Sequence, residues 1–391
     1  EARRAMIRIA LRMLVGDRLK YIGLVAGLAF ATLLITQQGS IFAGFTRRSG
    51  SWIRDTGQAD LWIMDPQVEF TEDRKAMQDS ALLKVRGVEG IEWAVPLYKS
   101  YVQARLQDGT RVVVRMIGLD DATLTGGPPI MEQGTLELLK QDRAILVDAR
   151  DMDDGLRLRR GVGDEGPREL RVGDRIDLNE HETVVVGSFR RTREFFWDPV
   201  VYTTYTRALR MAPPERKSLG YVLARVKPGL DPREVSRRVE ETTRLRADTS
   251  DDYEARSMDF ILAKTGILPN FGITIALGFV IGVLISGQLL YNFILENQRA
   301  FAAMKAMGAS NMLLLRMVFA QVMFAAFIGF GLGVGVTAVV GQLLHDSKLA
   351  FHMAWQVPVF GGLAILICCL IAAAISIQRV LRLEPAVVFK G

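Results

Sequence analysis

Few residues in this 391-residue chain have the chemistry of a metal site. His345 and His352 lie in one short segment with Asp346, and imidazole and carboxylate groups are common metal ligands. Their spacing matches no familiar set of ligands, and His181, beside an expected strand, is typical of a surface residue. We therefore predict no metal site in this chain.

Catalytic and nucleotide-binding motifs are equally scarce. The run 161–166 is glycine-rich, but it lacks the lysine of a phosphate-binding loop and has acidic residues where phosphates would lie. Cys368 and Cys369 are adjacent in an apolar stretch, which disfavours both a structural disulfide and a metal site. The sequence has no G-x-S-x-G, H-E-x-x-H or C-x-x-C pattern. We predict that the chain is not an enzyme and binds no cofactor of its own.

Four long segments without Asp, Glu, Lys or Arg dominate the sequence. They are residues 21–42, 271–290, 317–341 and 357–377. About 20 apolar residues in a helix cross a hydrocarbon core of about 30 Å, so each segment is long enough to span a membrane. The first is too long for the apolar core of a cleaved signal peptide, and no clear cleavage site follows it. We predict an integral membrane α-helical protein with four transmembrane helices.

Basic residues predict the orientation in the membrane. They are concentrated in residues 1–20, in the loop 296–316 and after residue 378, whereas the loop 344–354 carries little charge. Because short basic segments stay in the cytoplasm, both termini are expected inside and residues 43–270 outside. This placement also accounts for the net charge of +6 without nucleic acid as a partner. The expected location is the inner membrane, with the large domain in the periplasm.

The expected organisation follows from these segments. In the first twenty residues an apolar stripe of Met6, Ile9, Ala10, Met13 and Leu14 recurs at helical spacing, with arginines on another face. This pattern is compatible with two structures: a helix lying at the inner membrane surface, or a plain cytoplasmic end of the first membrane helix. The predicted segments are a cytoplasmic amphipathic helix (1–20), four transmembrane helices (21–42, 271–295, 313–343 and 355–378), an outer domain (43–270), a cytoplasmic coupling helix and turn (296–312), a short outer loop (344–354) and a cytoplasmic tail (379–391).

The outer domain has the pattern of a mixed α/β fold. Pro232 at a first helical turn predicts a helix over about 232–246, and the charged, glycine-rich segment 151–168 is expected to be a flexible loop or an insertion. Asp108 and Gly109 form a hairpin turn signal between two strands. The predicted strands, rich in Val, Ile, Leu and Tyr, are 59–64, 91–106, 111–118, 144–148, 183–189, 199–204 and 220–227.

Glycines four residues apart recur in the apolar segments. Such small-xxx-small pairs let membrane helices approach closely, so several together indicate tight packing within or between subunits. The pairs are Gly23/Gly27, Gly278/Gly282, Gly329/Gly333 and Gly331/Gly335.

Residues 296–311, between the second and third apolar segments, are the most informative stretch. Their Ala, Met and Lys content favours a helix. Gly308 suits the left-handed position that ends a helix, and Ser310 suits the cap of the next one. The pattern predicts a short helix, a sharp turn and a new membrane helix.

The short helix has an apolar strip made of Phe301, Met304 and Met307, with Arg299 and Lys305 beside it. This strip either docks into a groove on a cytoplasmic partner or packs against the helices of the same chain. The residues alone favour neither alternative.

The stretch 303–310 (Ala-Met-Lys-Ala-Met-Gly-Ala-Ser) resembles the coupling segment of the FtsX-like permease family, which includes the MacB, LolC/LolE and DevC types. The segment 170–178 resembles a V-G-D-x-I-x-L strand motif of the family's outer domain, and 383–386 resembles its closing E/D-P-A. The order of one helix, a large outer domain and three helices also resembles the family's plan. The chain looks most similar to the DevC-like branch, whose ATPase is a separate chain.

The resemblance implies partners and contact residues. It implies a separate ABC ATPase that binds ATP and Mg²⁺, a second copy of this chain, membrane lipid, and a periplasmic adaptor with an outer-membrane channel. Many members have Glu where this chain has Ala300, so Glu296, one turn earlier, is expected to supply the acidic contact. The residues expected to couple to the ATPase are Glu296, Arg299, Phe301, Met304, Lys305, Met307 and Gly308.

The function implied is mechanotransmission: ATP-driven motion of the coupling segments passes through the helices to the outer domain. The activity that the resemblance implies is export or extraction of a lipid, amphiphile or peptide. The alternative is an FtsX-like signalling scaffold that activates an external cell-wall hydrolase without transport. Phe195, Phe196 and Trp197, beside the basic run 190–193, either meet lipid or an adaptor or belong to a folded strand edge.

Overall fold

The computed structural model describes two compact units, each considered by itself. The membrane unit is formed by residues 1–46 and 266–391, and the α/β unit by residues 47–265. The described residues are 10, 12–16, 18–159, 166–194, 197–344 and 349–381, with backbone alone for 377–381. Met6, Ile9, the run 161–165, Phe195, Phe196, His345, Asp346 and the motif 383–386 lie outside them.

Helices account for most of the membrane unit and strands for most of the α/β unit. The helices are α1 (Arg18–Ser49), α2 (Ser51–Asp55), α3 (Ser80–Arg86), α4 (Ala149–Asp153), α5 (Tyr205–Met211), α6 (Pro232–Thr243), α7 (Ser250–Lys264), α8 (Ile267–Glu296), α9 (Gln298–Ala306), α10 (Asn311–Leu343) and α11 (Gln356–Leu381). The strands are β1 (Leu61–Met64), β2 (Ile91–Arg105), β3 (Arg111–Leu119), β4 (Ile130–Gln133), β5 (Ala144–Asp148), β6 (Arg175–Leu178), β7 (His181–Arg190), β8 (Val200–Thr204), β9 (Tyr221–Val226) and β10 (Arg246–Thr249).

Four helices, α1, α8, α10 and α11, are long and apolar enough to cross a membrane. They contain the four uncharged segments of the sequence, so the predicted fold class is confirmed. Each helix also extends beyond its uncharged segment. In particular, α1 continues to Ser49.

A single apolar cluster joins these helices. It includes Leu28 of α1, Phe293 of α8, Val318 of α10 and Ile365 of α11, all at most 2 % exposed. Among the described residues of the expected amphipathic helix, Ala10 and Leu14 are buried in the same cluster, and the Nε2 of Gln321 donates to the carbonyl of Ala10 at 2.7 Å. This part of the stripe therefore packs against the chain's own helices.

The predicted glycine pairs divide into two groups. At Gly333 an added Cβ would lie 2.6 Å from the carbonyl oxygen of Ala29, so α10 and α1 approach closely there. At Gly331 and Gly335 no atom of the chain lies within 4 Å of such a Cβ. The glycines that face a neighbouring helix are Gly23, Gly27, Gly278, Gly282, Gly329 and Gly333.

Strands β10, β1, β9 and β2 lie in that order in an antiparallel arrangement, with β1 followed by α3 and β9 followed by α6. This is the β-α-β-β-α-β pattern of ferredoxin-like folds. The two helices and the sheet share one apolar cluster, which includes Val85 of α3, Val222 of β9 and Val235 of α6. The remaining strands are inserted between β2 and β9.

The inserted strands close into a ring with the second half of β2. In this ring β2 pairs with β3 and β6, β3 with β8, β8 with β5, β5 with β7, and β7 with β6. Apolar side chains from all six strands meet in one cluster, including Val114, Ile145, Ile176, Val185 and Val201. Only the interior of a closed ring brings one face of every strand together, so this cluster is the core of a small barrel.

All seven predicted strands are present, and three short ones, β4, β6 and β10, were not predicted as strands from composition. The helix predicted to reach 246 ends at Thr243, because Arg244 adopts a left-handed conformation (φ 58°) and β10 follows. The segment 151–168, expected to be a flexible loop or an insertion, is folded in its described part. In its described part Leu156 and Leu158 are buried, and Leu158 pairs with Arg168.

Candidate functional site

The predicted helix and turn between α8 and α10 are present. Helix α9 starts two residues after α8 ends, and Gly308 follows it with φ +92°. The N–H of Ala309 donates to the carbonyl of Met304 at 3.0 Å, which closes the turn. The hydroxyl of Ser310 accepts from the N–H of Leu313 at 3.3 Å and caps α10. We call residues 298–310 the coupling segment, after the role predicted for residues 296–312 from the sequence.

The apolar strip of the coupling segment is split between the interior and the surface. Phe301 is fully buried in the cluster of the membrane helices, together with Leu314 and Val318 of α10, and Met304 packs partly against the same cluster. Met307 is 80 % exposed. Phe301 therefore packs inward, and Met307 is the most exposed member of the strip.

The charged residues predicted to lie beside the strip have different surroundings. Arg299 is exposed, and Lys305 is half-buried. The carboxylate of Glu296, at the end of α8, pairs with Lys20 at the start of α1 while its side chain stays 59 % exposed. Glu296 thus joins two membrane helices through an ion pair.

A second group of polar residues, in the α/β unit, was not predicted from the sequence. Lys99 of β2 is buried, and its Nζ lies 2.7 Å from Oε1 of Glu72 and 3.8 Å from the ring centroid of Trp52. The hydroxyl of Tyr101 donates to the other oxygen of Glu72 at 2.8 Å. Burial alone would raise the pKa of Glu72, but Lys99 and the nearby Arg115 outweigh it and lower the pKa to about 2. Glu72 therefore stays ionised.

This group continues through the barrel wall as a chain of ion pairs. Arg115 of β3, fully buried, pairs with Glu194, and the Nη1 of Arg191 lies 3.0 Å from the other oxygen of Glu194. The Nε of Arg191 lies 3.2 Å from Asp148 at the end of β5. We call Glu72, Lys99, Arg115, Asp148, Arg191 and Glu194 the buried ionic network.

The buried ionic network also fixes the loop between β7 and β8. Asp55, the last residue of α2, accepts hydrogen bonds from the N–H and the hydroxyl of Thr192 at 2.7 and 2.9 Å. Because Arg191 and Glu194 of the same loop are held by the barrel, this loop connects α2 to the barrel. A signal for the network was present in the sequence: Arg115 interrupts the apolar run 112–117 and Lys99 follows the apolar run 93–98, and a charge among apolar neighbours indicates a buried pair.

In the described ranges no group of three or more His, Cys, Asp or Glu side chains is placed to hold a metal ion. His352 lies within them, and its backbone N–H donates to the carbonyl of Ser40 at 2.9 Å.

Comparison with known families decides the assignment. Residues 22–242, more than half of the chain, match the model of the MacB-like periplasmic core domain. Residues 272–385 match the FtsX-like permease C-terminal model. The chain belongs to the FtsX/MacB-type family of ABC permeases. The buried Phe301 and the barrel are therefore parts of a permease.

Solved structures similar to this permease include two isolated domains. One is the periplasmic region of MacB from Actinobacillus actinomycetemcomitans, with 12 % identity, a TM-score of 0.36, and coverage of 51 % of this chain and 92 % of that one. The other is the extracellular domain of the noncanonic ABC-type transporter YknZ from Gram-positive bacteria, with 10 % identity, a TM-score of 0.32, and coverage of 49 % and 99 %. No curated protein matches this permease.

Proposed function

We propose that this permease works with a separate ABC ATPase and couples ATP hydrolysis to the export or extraction of a lipid, amphiphile or peptide. The observation that carries the proposal is the division of the coupling segment, with Phe301 fully buried and Met307 80 % exposed. An exposed contact residue joined to a buried anchor by a nine-residue helix converts a push from outside into motion of the membrane helices.

The packing of Phe301 supports this mechanical role. Phe301 lies in one cluster with side chains of α1, α8, α10 and α11. Protein interiors are close-packed and transmit displacement with little compression. A displacement at Met307 therefore reaches the whole membrane unit.

The interior of the membrane unit also favours force transmission over a polar conduit. Among the described residues, its buried polar side chains are all uncharged: Thr32, Thr36, Ser40, Ser286, Gln321, Thr337 and Ser376. Their hydroxyls bond mainly within their own helices, as Thr32 does to the carbonyl of Leu28 at 2.7 Å. We infer that the cargo does not pass between these four helices.

Two short covalent links carry the motion onward. Helix α1 ends at Ser49 and α2 begins at Ser51, and α7 ends at Lys264 while α8 begins at Ile267. Helices of these lengths bend little, and we expect connections of one or two residues to allow little independent movement of the helices that they join. From α2 the bonds between Asp55 and Thr192 carry force to the barrel.

The proposal includes a membrane setting and partners. Both termini lie in the cytoplasm, the α/β unit lies in the periplasm, and the permease sits in the inner membrane as a dimer. A periplasmic adaptor and an outer-membrane channel complete an export machine, as in the DevC-like arrangement. If the permease instead co-purifies with a cell-wall hydrolase, the FtsX-like signalling role replaces export.

The test begins with mass spectrometry of the complex extracted by a tag on this chain. We expect a P-loop ATPase in equal amount, and we expect Met307→Asp to weaken ATPase binding about tenfold or more, which corresponds to about 1.4 kcal/mol. Met307→Leu is the matched control and should bind normally. An unchanged ATPase affinity in correctly folded Met307→Asp would contradict the coupling assignment.

A further inference from the structure

One face of α8 lies outside the apolar cluster of the membrane helices. The buried side chains of α8, among them Leu290, Phe293 and Ile294, pack into that cluster. On the other side of the helix Leu277 and Leu284 are 56 and 64 % exposed, and neither belongs to the cluster. In a membrane this second face meets either lipid or another helix.

The residues of this outward face recur at a regular spacing. Positions 277, 281, 284, 288, 291 and 295 are separated by alternate steps of four and three residues, the heptad spacing of a helix that packs along a second helix in a left-handed pair. At about 1.5 Å per residue they extend over about 27 Å, close to the thickness of a hydrocarbon core of about 30 Å. We call these exposed or half-buried residues the α8 seam: Leu277, Ile281, Leu284, Gln288, Tyr291 and Leu295.

A glutamine lies within the α8 seam at hydrocarbon depth. Among the described residues of the four uncharged segments, Gln288 is exposed and every other exposed side chain is apolar. Glu296, which pairs with Lys20 and is 59 % exposed, marks the polar end of α8. Gln288 precedes it by eight residues, about 12 Å along the helix, whereas one headgroup layer is about 5–7 Å thick. The amide of Gln288 is therefore below the headgroups.

This amide is only partly satisfied within the chain. Its Nε2 donates to Oδ1 of Asn292, one turn further along α8, at 3.4 Å, which is longer than an ordinary hydrogen bond. Among the described residues the Gln288 amide makes no other hydrogen bond, so its oxygen and its second N–H lack partners. Lipid chains offer neither a donor nor an acceptor, and an unsatisfied amide costs free energy there. A helix with an amide at the same depth would remove that cost.

A second copy of this chain supplies such a helix. All copies insert in the membrane with the same orientation, so two α8 helices that pair are parallel. In a parallel pair with heptad spacing, equivalent residues meet layer by layer, and Gln288 meets Gln288. An amide has both a donor and an acceptor, so the two side chains are complementary across a two-fold axis.

We propose that the α8 seam is the contact between two copies of this chain in the membrane, with the two Gln288 amides hydrogen-bonded to each other across the two-fold axis. The apolar layers on either side provide packing, and the amide pair fixes the register of the two helices. This inference rests on the dimer of the proposed function and names its surface. It depends neither on the ATPase nor on the cargo.

Disulfide formation between engineered cysteines in the full chain, reconstituted in liposomes, tests the surface. Cys368 and Cys369 are buried and stay in place, and the chain without an engineered cysteine gives the background. Leu277→Cys should form cross-linked dimers at least about ten times faster than Ala276→Cys, because equivalent seam residues come close enough for a disulfide. Ala276 is the matched control, since it is also exposed and lies at the same depth but about 100° around the helix.

The amide pair is tested by energy transfer between differently labelled copies as the lipid-to-protein ratio is raised. Gln288→Leu keeps a side chain of similar size without the amide and should weaken the dimer about 3-fold to 30-fold, which corresponds to about 0.6–2 kcal/mol for hydrogen bonding between membrane helices. Gln288→Asn keeps an amide, and its dimer should be stronger than that of Gln288→Leu. Leu332→Ala removes a side chain of α10 that is 53 % exposed and lies off the seam, so this variant should dimerise like the wild type.

The outcomes separate this surface from the dimer itself. Absence of energy transfer in the wild type would refute the dimer of the proposed function and this surface with it. A dimer in which Ala276→Cys cross-links as fast as Leu277→Cys would leave the dimer standing and overturn the α8 seam. An unchanged dimer in Gln288→Leu would overturn the amide pair, and cross-linking of Leu277→Cys in cells to a different membrane protein would overturn the second copy as the partner.

Discussion

Truncation of Phe301 should separate binding of the ATPase from transmission to the membrane helices. The side chain is fully buried in the membrane cluster, and Phe→Ala at such a site costs about 3–5 kcal/mol through lost burial and the cavity left behind. Helix α9 has nine residues, and Phe301 is its one large, fully buried side chain. We therefore expect most of the lost free energy to appear as local detachment of α9 from the membrane helices. Since each 1.36 kcal/mol is a factor of ten, α9 should detach about 100 to 1000 times more often.

Hydrogen–deuterium exchange of the full chain in nanodiscs measures this detachment. The reporters are the amides of Phe301, which donates to Asn297 at 3.1 Å, and of Met307, which donates to Ala303 at 3.0 Å. In Phe301→Ala their protection should fall by the factor given above, while protection in the middle of α10 stays unchanged. Stimulation of the ATPase by cargo should be lost even though the ATPase still binds.

Met307→Ala is the control for this prediction. Its side chain is 80 % exposed, so its removal should change stability by less than about 0.5 kcal/mol and leave the protection of α9 as in the wild type. Protection in Phe301→Ala within twofold of the wild type would refute the reasoning, and so would an equal loss in Met307→Ala.

Two further predictions concern the membrane unit and the barrel. Gly333→Ala should destabilise the protein by about 1–3 kcal/mol, because the added Cβ would meet a backbone carbonyl of α1. Gly335→Ala places its Cβ in open space and should stabilise the protein by up to about 1 kcal/mol through helix propensity. Thermal unfolding in detergent measures both changes, and a change of the same sign in the two variants would contradict this packing. Burial raises the pKa of Asp151 from 3.8 to about 6, so the folded state holds the proton more tightly and stability should fall by about 3 kcal/mol as pH rises from about 4 to 6. Asp151→Asn keeps an acceptor for the N–H of Val200, which lies 3.0 Å away. The free energy of unfolding of this variant, measured with urea, should no longer fall between about pH 4 and 6. A pH dependence as in the wild type would show that Asp151 is not the group responsible.

The membrane helices were predictable because hydropathy is a local property of the chain. Each uncharged segment must satisfy its backbone hydrogen bonds within itself in the bilayer, so helices are the natural outcome. The turn at Gly308 and the cap at Ser310 were also readable, since each depends on one residue type at one position.

The shorter strands show where local patterns stop being sufficient. The segment of β10 follows a polar helix and contains little apolar alternation, and it becomes a strand because β1 pairs with it from Leu61 to Met64. The ring of six strands likewise depends on β6, which pairs both with its neighbour β7 and with β2. Strand β2 lies far from β6 and β7 in the sequence. No window of neighbouring residues contains that information.

The sequence by itself determined the four membrane helices, the large inserted domain and the position of the coupling segment, because these depend on hydropathy and on single turn residues. Only the tertiary structure decided that Phe301 faces inward while Met307 faces outward, and that Arg115 and Lys99 are buried with carboxylate partners. The physical reason is that a side chain on a helix or a strand becomes buried or exposed only when another element packs against one face. Which side is packed is settled by residues distant in the chain.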